Sequence, residues 1–271
     1  KIVSGEILFN YDKLIIDLVA ADPDSREVRS IRGKEISMIF QEPMIAFSPV
    51  HTIGNQIIES IRIHRRVSKE VAREQAMEML RRVGMPNPAL NIDQYTFNLS
   101  GGMRQRAMVA MALSCQPKLL IADEPTTAVD VTIQAQMLNL LREMQADLGM
   151  AIIMITHDLA VIAELTERVM IMYLGKEVEY GTVEDIFYRP QHPYTRGLLR
   201  SIPKLAPGRV EINPIAGAVP SVYEMPAGCK FHPRCPKCIP GVCEKREPPL
   251  IEIAPGHAVR CYLYGGKEAL E

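Results

Sequence analysis

A run of apolar residues that ends in two carboxylates constrains the fold of this chain most strongly. Leu119 to Ala122 are all apolar, and Asp123 and Glu124 follow directly, before Pro125. Such a run is typical of a buried parallel strand, and ligands bind outside the carboxyl ends of these strands. The sequence therefore predicts an α/β sheet with both acids at the carboxyl end of one strand. The alternative is that the acids only end the strand before a turn.

A second apolar run, from Ala151 to Thr156, ends at His157. Carboxyl ends of parallel strands lie on the same side of a sheet, so we expect His157 beside Asp123 and Glu124. A histidine at this place can contact a phosphate. A lone histidine after a strand more often makes a structural hydrogen bond, so the functional interpretation depends on the neighbouring motifs.

A serine and two glycines precede a predicted helix. Ser100, Gly101 and Gly102 lead into Met103 to Leu113, a segment without Gly or Pro. Unpaired N–H groups and the helix dipole at a helix N-terminus favour a phosphate, and glycines allow its close approach. The same residues also fit an ordinary helix start with serine as the N-cap.

Three motifs, in this order, resemble those of the ATPase subunits of ABC transporters. They are Leu99-Ser100-Gly101-Gly102-Met103-Arg104-Gln105, similar to the signature motif; Leu119 to Pro125, similar to the Walker B strand; and Ile155-Thr156-His157-Asp158, similar to the switch histidine. The resemblance implies that Ser100, Gly101, Gly102 and Gln105 contribute to nucleotide binding. It also implies that Asp123 holds Mg²⁺, that Glu124 orients or deprotonates the attacking water, and that His157 contacts the γ-phosphate.

Two further residues receive roles from the same resemblance. Gln41 resembles the Q-loop glutamine, which is expected to sense Mg²⁺ or the lytic water and to relay nucleotide occupancy to membrane subunits. Asp130 resembles the D-loop aspartate at the dimer interface, with Val129 where leucine is more usual. The implied cofactors are therefore ATP and Mg²⁺, with Asp123 and Gln41 near the metal.

No G-x-x-x-x-G-K-S/T phosphate loop occurs in the 271 residues. In the family this loop holds the β- and γ-phosphates and supplies a Mg²⁺ ligand. Two explanations stay open: the sequence lacks residues that the intact protein has, or it is a shortened subunit. Intact Asp123, Glu124 and His157 favour the first explanation. The loss of a central strand is also expected to leave an open seam in the sheet.

The resemblance implies an α/β fold: an ABC-type P-loop NTPase-like core without its P-loop, a helical subdomain and a small Cys-rich C-terminal module. We expect the core at residues 1–40 and 116–198, the helical subdomain at 41–115 and the extension at 199–271. Apolar periodicity predicts a helix from Ser68 to Val83 with Ser68 as its N-cap. One face of that helix should contain Ala72, Ala76, Met79, Leu80 and Val83.

The segment from Arg189 to Leu199 resembles one found in the oligopeptide and dipeptide branch of importer ATPases. This implies an ATPase that powers peptide import. The implied partners are two transmembrane permease subunits, a second ATPase subunit that is identical or paralogous, and indirectly an extracytoplasmic substrate-binding protein. No apolar run approaches the roughly 20 residues of a membrane span, so the expected location is peripheral, at the cytoplasmic face of the membrane.

Other functions stay open at this stage. One alternative is a non-hydrolysing partner that donates only its signature motif to a heterodimer, and another is the ATPase of a related nickel or small-solute importer. A DNA-associated ATPase shares this signature. The formal net charge of −1, from 31 basic and 32 acidic residues, and the absence of long heptad arms argue against a nucleic-acid partner.

Five of the six cysteines lie near the C-terminus, at positions 229, 235, 238, 243 and 261, while Cys115 stands apart. Their spacing alone does not distinguish an iron–sulfur site from a Zn²⁺ site, for which the Cys235-x-x-Cys238 pair and His232 are candidates. The peptide-importer resemblance implies a 4Fe–4S cluster on Cys229, Cys235, Cys243 and Cys261. Because so short a segment should have little core of its own, we expect a metal to stabilise it.

Overall fold

The computed structural model describes residues 2–11, 14–125, 131–202, 204–206, 209–211, 213–221 and 223–265. The chain forms two compact units, residues 1–161 and 162–271. None of the helices in the described ranges combines the length and the apolar character needed to cross a membrane. The predicted boundaries of core, helical subdomain and extension remain predictions.

The first unit begins with a hairpin and continues with alternating strands and helices. The strands are β1 (Leu8–Tyr11), β2 (Leu14–Asp17), β3 (Ile36–Ile39), β4 (Leu119–Asp123) and β5 (Ala151–Ile155). The helices are α1 (Arg26–Ile31), α2 (Pro43–Ala46), α3 (Ile53–His64), α4 (Lys69–Arg82), α5 (Pro88–Asn91), α6 (Gly101–Leu113) and α7 (Val131–Leu148), and α8 (Leu159–Leu165) spans the division between the units.

The predicted parallel sheet is present, in the order β3-β4-β5. The central strand β4 buries Leu120 and Ala122 completely. Strand β5 lies at the edge of the described sheet, and its Ile153 and Ile155 are 50% and 48% exposed. This exposed strand is consistent with the open seam expected from the sequence.

Helices α3, α4 and α6 pack together and form the core of the helical region. The Ser68 hydroxyl accepts a hydrogen bond from the Val71 N–H at 3.3 Å and caps α4, as predicted. The predicted face is buried; its residues are Ala72, Ala76, Met79, Leu80 and Val83. A fully buried leucine contributes about 1.5–3 kcal/mol of transfer free energy, so this face accounts for much of the helix's stability.

The second unit contains an antiparallel sheet. Its elements are β6 (Arg168–Tyr173), β7 (Lys176–Thr182), α9 (Val183–Tyr188), α10 (Pro193–Arg200), the short hairpin β8 (Lys204–Ala206) and β9 (Arg209–Glu211), then β10 (Leu250–Ala254) and β11 (His257–Arg260). The strand order β10-β11-β7-β6 pairs the terminal hairpin with β7. The sequence patterns indicated neither this pairing nor α1.

A buried ion pair joins β7 and β11. The Glu179 carboxylate has no exposed surface and accepts a hydrogen bond from His257 Nε2 at 2.9 Å. It also accepts the backbone N–H groups of Gln191 at 2.7 Å and His192 at 2.9 Å. A buried carboxylate needs several such partners, and these fix the segment before α10 against the sheet.

Candidate functional site

Three strand ends of the first unit bring the predicted catalytic side chains together. Gln41 follows β3, Asp123 and Glu124 end and follow β4, and His157 follows β5. Both strand pairs are parallel, and their register places Ile39 opposite Ala122 and Asp123 opposite Ile155. Parallel pairing therefore places these side chains on one side of the sheet, as the sequence predicted.

The Glu124 carboxylate is held from two sides. Gln41 Nε2 donates to Glu124 Oε2 at 3.2 Å, and His157 Nδ1 lies 2.9 Å from Glu124 Oε1. The Glu124 side chain is 22% exposed, whereas that of His157 is 79% exposed. The carboxylate is thus fixed near the surface, where a small reactant can reach it.

The backbone of Glu124 adopts an uncommon conformation. Its φ is +45°, in the left-handed region that non-glycine residues rarely occupy. The Glu124 N–H donates to the Ile155 carbonyl at 2.8 Å, which extends the pairing of β4 and β5 by one residue. Such conformations cluster at functional sites because neighbouring contacts must hold them in place.

Asp123 is half-buried at the end of β4. Mg²⁺ in nucleotide sites takes only one or two protein oxygens and completes its coordination with water and phosphate oxygens. The Asp123 carboxylate at this strand end fits that requirement. The side-chain amide of Gln41, which is hydrogen-bonded to the neighbouring Glu124, supplies a second oxygen. Asp123 and Gln41 are therefore suitable residues to hold the ion.

The signature segment begins α6. The Ser100 hydroxyl accepts the Met103 N–H at 3.3 Å, so Ser100 is the N-cap, and the helix starts at Gly101, two residues before its predicted start. A Cβ on Gly101 would meet nothing within 4 Å. Ser100 and Gly101 are exposed and leave room for a ligand, whereas Gly102 to Arg104 are half-buried. Ser100 also has the ordinary capping role considered from the sequence.

Gln105 has a different environment from the other signature residues. It is only 2% exposed, and its Nε2 donates to the carbonyl of Pro125, in the turn after β4. This contact ties α6 to the turn that carries Glu124. The geometry therefore gives Gln105 a positioning role, and its contact with nucleotide stays a prediction.

Asp158 is a residue to which sequence reasoning gave no role. Its Oδ1 accepts the N–H groups of Ala160 at 2.9 Å and Val161 at 3.4 Å, and Oδ2 accepts from Gln134 Nε2 at 3.0 Å. Asp158 therefore fixes the start of α8 and the loop that carries His157. An aspartate just before a helix is a typical N-cap signal. Asp130, the predicted D-loop residue, lies outside the described residues.

Four of the five C-terminal cysteines lie in the loop before β10, and Cys261 directly follows β11. The Cys229 N–H donates to the Cys243 carbonyl at 2.9 Å, and the Cys238 N–H donates to the Cys235 carbonyl at 3.2 Å. The Ile239 N–H donates to Cys243 Sγ at 3.3 Å. The backbone thus gathers residues that are far apart in sequence, while Cys115 is buried in the first unit.

Burial and neighbouring thiols act together on these cysteines. Burial, followed by the other cysteines, raises the pKa of Cys238 to about 11, and burial is also the main reason that the pKa of Cys261 is about 11. The pKa values of Cys229 and Cys235 are also raised, mainly by burial. Neighbouring thiols add to the upward shifts of the pKa values of all four cysteines.

The donor set fits a soft metal or an iron–sulfur group chemically, because all five side chains are thiols. Within the part of the chain that the structure describes, however, no three His, Cys, Asp or Glu side chains have an arrangement that could hold a metal ion. The zinc candidate His232 directs Nδ1 to the Cys229 carbonyl at 2.9 Å. The geometry does not support the predicted cluster.

The module has little core of its own, as expected, and it packs instead against the core formed by β6, β7 and α9. Phe231 is 1% exposed and packs with Val169, Ile171, Tyr173, Val178 and Ile186, and the side chains of Cys229 and Cys235 contact the same cluster. Val259 of β11 is fully buried. The packing of Phe231 and the pairing of β11 with β7 join the module to the rest of the second unit.

Two family patterns match the chain. The pattern described as "ABC transporter" covers residues 2–127, and the one described as "Oligopeptide/dipeptide transporter, C-terminal region" covers residues 178–243. The first contains Gln41, the signature and the Walker B residues. The second contains the segment before α10 and three of the four cysteines predicted as iron–sulfur ligands.

Similar proteins cover nearly the whole chain. A peptide ABC transporter ATP-binding protein of Sinorhizobium fredii is 51% identical over 263 residues, which are 97% of this chain and 76% of that protein. The dipeptide transport ATP-binding protein DppD of Bacillus subtilis is 47% identical with the same coverage. The oligopeptide transport ATP-binding protein AppD of B. subtilis is 50% identical over 86% of this chain and 71% of its own length.

Solved structures agree with the fold. An ATP-binding cassette solved as a dimer in a post-hydrolysis state with ADP and Pi has a TM-score of 0.59 and 26% identity. The aligned region covers 67% of this chain and 74% of the chain in that structure. Together, the motif geometry and these matches establish that the chain belongs to the family of ABC transporter ATP-binding subunits, which are ATPases.

Proposed function

We propose that this chain hydrolyses ATP to power the import of di- or oligopeptides through an ABC transporter. The observation that carries the proposal is the Glu124 carboxylate held between Gln41 and His157 at the end of β4. Two observations support peptides as the cargo. The similar proteins are named as peptide or dipeptide transport proteins, and the C-terminal part matches the oligopeptide/dipeptide transporter pattern.

In the proposed mechanism, Glu124 orients the attacking water and accepts its proton. Gln41 and His157 keep the carboxylate in one orientation. The hydrogen bond from the Glu124 N–H to the Ile155 carbonyl fixes the backbone of Glu124. His157 can turn its exposed ring toward the γ-phosphate. Mg²⁺, when bound by Asp123 and Gln41, would neutralise charge on the phosphate oxygens.

The exposed start of α6 has a separate part in the proposal. Ser100, Gly101 and Gly102 would bind the phosphates of a nucleotide held by a second ATPase subunit, since the first turn of a helix offers free N–H groups. The other proposed partners are two transmembrane permeases and, through them, an extracytoplasmic substrate-binding protein. The chain would then lie at the cytoplasmic face of the membrane.

A second candidate function is that of a partner subunit in a heterodimer. In this case the chain donates only its signature segment to a heterodimer and does not hydrolyse ATP itself. The two candidates differ in whether Glu124 is needed for turnover.

The decisive variant is Glu124→Gln in the assembled importer, with ATP hydrolysis and peptide uptake in proteoliposomes as the measurements. We expect both rates to fall by about 10²–10⁴-fold, the range for loss of a general base. Glu143→Gln is the matched control, because Glu143 is exposed on α7. Unchanged hydrolysis and uptake with Glu124→Gln would favour the signature-donating partner.

Binding of Mg²⁺–ATP by this chain should be measured beside that of any longer form that its gene encodes. Binding and turnover by the longer form alone would assign the phosphates to an upstream phosphate loop. The cargo needs a separate test, because other subunits recognise it. Uptake of Ni²⁺ or another small solute in place of labelled peptide would support the alternative importer class.

We also propose that Cys229, Cys235, Cys243 and Cys261 bind a 4Fe–4S cluster, with Zn²⁺ as the alternative. The all-thiol donor set and the backbone hydrogen bond between Cys229 and Cys243 support this, although the described side chains are not in a coordinating arrangement. Iron, sulfide and zinc should be measured in chain purified without oxygen. Stoichiometric iron and sulfide would favour the cluster, zinc would favour the alternative, and the absence of all three would overturn both.

A further inference from the structure

A glutamine lies in the first turn of α7, on the face of that helix that turns towards the core. Gln134 precedes Met137 and Leu138 at the spacing of one helical face, and these two side chains are 3% and 4% exposed. An apolar residue is usual at such a position. Gln134 is half-buried, and its Nε2 donates to Asp158 Oδ2 at 3.0 Å. The amide therefore has a specific partner, and that partner directly follows His157.

The position of His157 depends on the loop that carries it, because the His157 side chain is 79% exposed. On one side of the loop, the Asp158 N–H donates to Thr156 Oγ1 at 3.0 Å. On the other side, Asp158 Oδ1 accepts two N–H groups from the start of α8. The Asp158 side chain thus joins the loop to α8, and the bond from Gln134 ties this junction to α7.

We infer that Gln134 is a positioning residue for His157 and that it acts through Asp158. A hydrogen bond to a carboxylate is stronger than one between neutral groups, so this contact holds the loop after β5 against α7. Loss of the bond leaves the loop free to shift, and a shift weakens the 2.9 Å contact between His157 Nδ1 and Glu124 Oε1. The expected effect on ATP hydrolysis rests on the proposed function.

A second glutamine of α7 provides a comparison. Gln136 is exposed, and its Oε1 accepts a hydrogen bond from Arg106 Nη2 of α6 at 2.6 Å. Arg106 also donates to the carbonyl of Val83, which follows α4. The contact of Gln136 therefore joins α7 to the helical region, whereas the contact of Gln134 joins α7 to the His157 loop.

The principal test is Gln134→Glu in the assembled importer. The new side chain has nearly the same size, and an acid is favoured in the first turn of a helix, so the fold should persist. A carboxylate cannot donate to Asp158 and repels it. We expect kcat for ATP hydrolysis to fall about tenfold with little change in KM, because small misplacements near a reaction cost up to about 100-fold in rate.

Gln136→Glu is the matched control. It introduces the same charge two residues away on the same helix and keeps an acceptor for Arg106. Its kcat should equal that of the unchanged importer. An equal loss in both variants would mean that charge on α7, rather than the bond to Asp158, lowers the rate, and would overturn the inference.

Two further variants separate the lost hydrogen bond from the added charge. Gln134→Leu removes the donor without adding charge and suits the apolar face, so it should also lower kcat. Combining Gln134→Glu with Asp158→Asn exchanges donor and acceptor, while an amide oxygen can still accept the N–H groups of α8. This combination should restore most of the rate. A normal rate with Gln134→Leu would overturn the inference.

A double variant tests whether the effect passes through His157. If it does, Gln134→Glu should cause no further loss of kcat in an importer that already contains His157→Ala. A second loss of about tenfold would show that Gln134 acts independently of His157.

Amide hydrogen exchange of the full chain separates this inference from the proposed function. Gln134→Glu should speed exchange of the Ala160 and Val161 N–H groups, which Asp158 accepts, whereas Gln136→Glu should not. If Glu124→Gln leaves hydrolysis unchanged, the catalytic function fails, and faster exchange still supports Gln134 as the residue that holds the loop. Unchanged exchange, or normal hydrolysis by Gln134→Glu in an importer that Glu124→Gln inactivates, would overturn the inference.

Discussion

The strand ends of the first unit and the cysteine loops of the second unit are both sets of residues that lie far apart in sequence and close together in space. At the strand ends, parallel pairing positions Gln41, Glu124 and His157, because each follows a strand whose register is fixed by its neighbours. The cysteines lie in turns, where the positions of the sulfur atoms depend on local hydrogen bonds and on packing around Phe231. The positions of side chains at the ends of paired strands can therefore be predicted from sequence spacing more accurately than those in loops.

The largest effect should come from disturbing the strand ends. We expect Gln41→Ala and His157→Ala each to lower ATP hydrolysis in the assembled importer by about 10–100-fold, because each holds the Glu124 carboxylate. Since both act through Glu124, the double variant should lose less than the product of the two single effects. If the fold loss of the double variant equals the product of the two single losses, the two residues act independently. That result would contradict the idea that the strand ends form one unit around Glu124.

In the second unit, His192 should make the stability depend on pH. His192 caps α10 by accepting the Tyr194 N–H on Nδ1 at 3.0 Å, and burial lowers its pKa from 6.5 to about 4. Between these pH values the unfolded chain binds a proton there and the folded chain does not, so the free energy of unfolding falls as pH falls. The loss should reach about 3 kcal/mol at the lower limit.

Urea unfolding followed by circular dichroism measures this dependence. His192→Asn keeps a side-chain acceptor for the cap but removes the titrating group, so its stability should change less with pH than that of the unchanged chain. His51→Asn, at an exposed position of the first unit, is the control. The same pH slope in all three proteins would contradict the role of His192.

A smaller effect should follow from Gly228→Ala, which tests whether backbone packing organises the cysteine loops. Gly228 has a φ of +59°, and a Cβ there would lie 2.9 Å from the Arg246 carbonyl oxygen. The left-handed conformation and the clash should together cost about 2 kcal/mol of unfolding free energy.

Gly241→Ala provides a matched control for this substitution. Gly241 also has a positive φ, of +77°, but a Cβ added there would meet no other atom within 4 Å. This variant should be destabilised less than Gly228→Ala in the same thermal unfolding experiment. Equal losses would mean that the backbone conformation, rather than the contact with the Cys243 loop, determines the cost.

The smallest effect concerns two of the serine caps of the first unit, Ser68 and Ser100, which have the same geometry. Ser68 and Ser100 each accept an N–H at 3.3 Å, so replacing either with alanine should cost about 1 kcal/mol of stability. Only Ser100→Ala should also raise the KM for ATP of the assembled importer. An equal KM in both variants would leave Ser100 as an ordinary N-cap.

Helix ends and strand ends of the first unit were largely predictable, because their signals are local. Ser68 caps its helix and the apolar face of α4 is buried, as the periodicity indicated. Helix α1 was missed because its polar sequence has little apolar periodicity. Sequence could not anticipate that Gln105 is buried against Pro125, since that contact joins a helix to a turn 20 residues away.

By itself, the sequence determined the family, the parallel arrangement and the identities of the side chains at the strand ends, because motif order and apolar runs are written directly in the chain. Only the tertiary structure decided that β11 pairs with β7, that Glu179 and His257 form a buried pair, and that Phe231 packs against β6 and β7. These contacts depend on which distant segments share a core, and the free energy of that packing is a property of the whole fold.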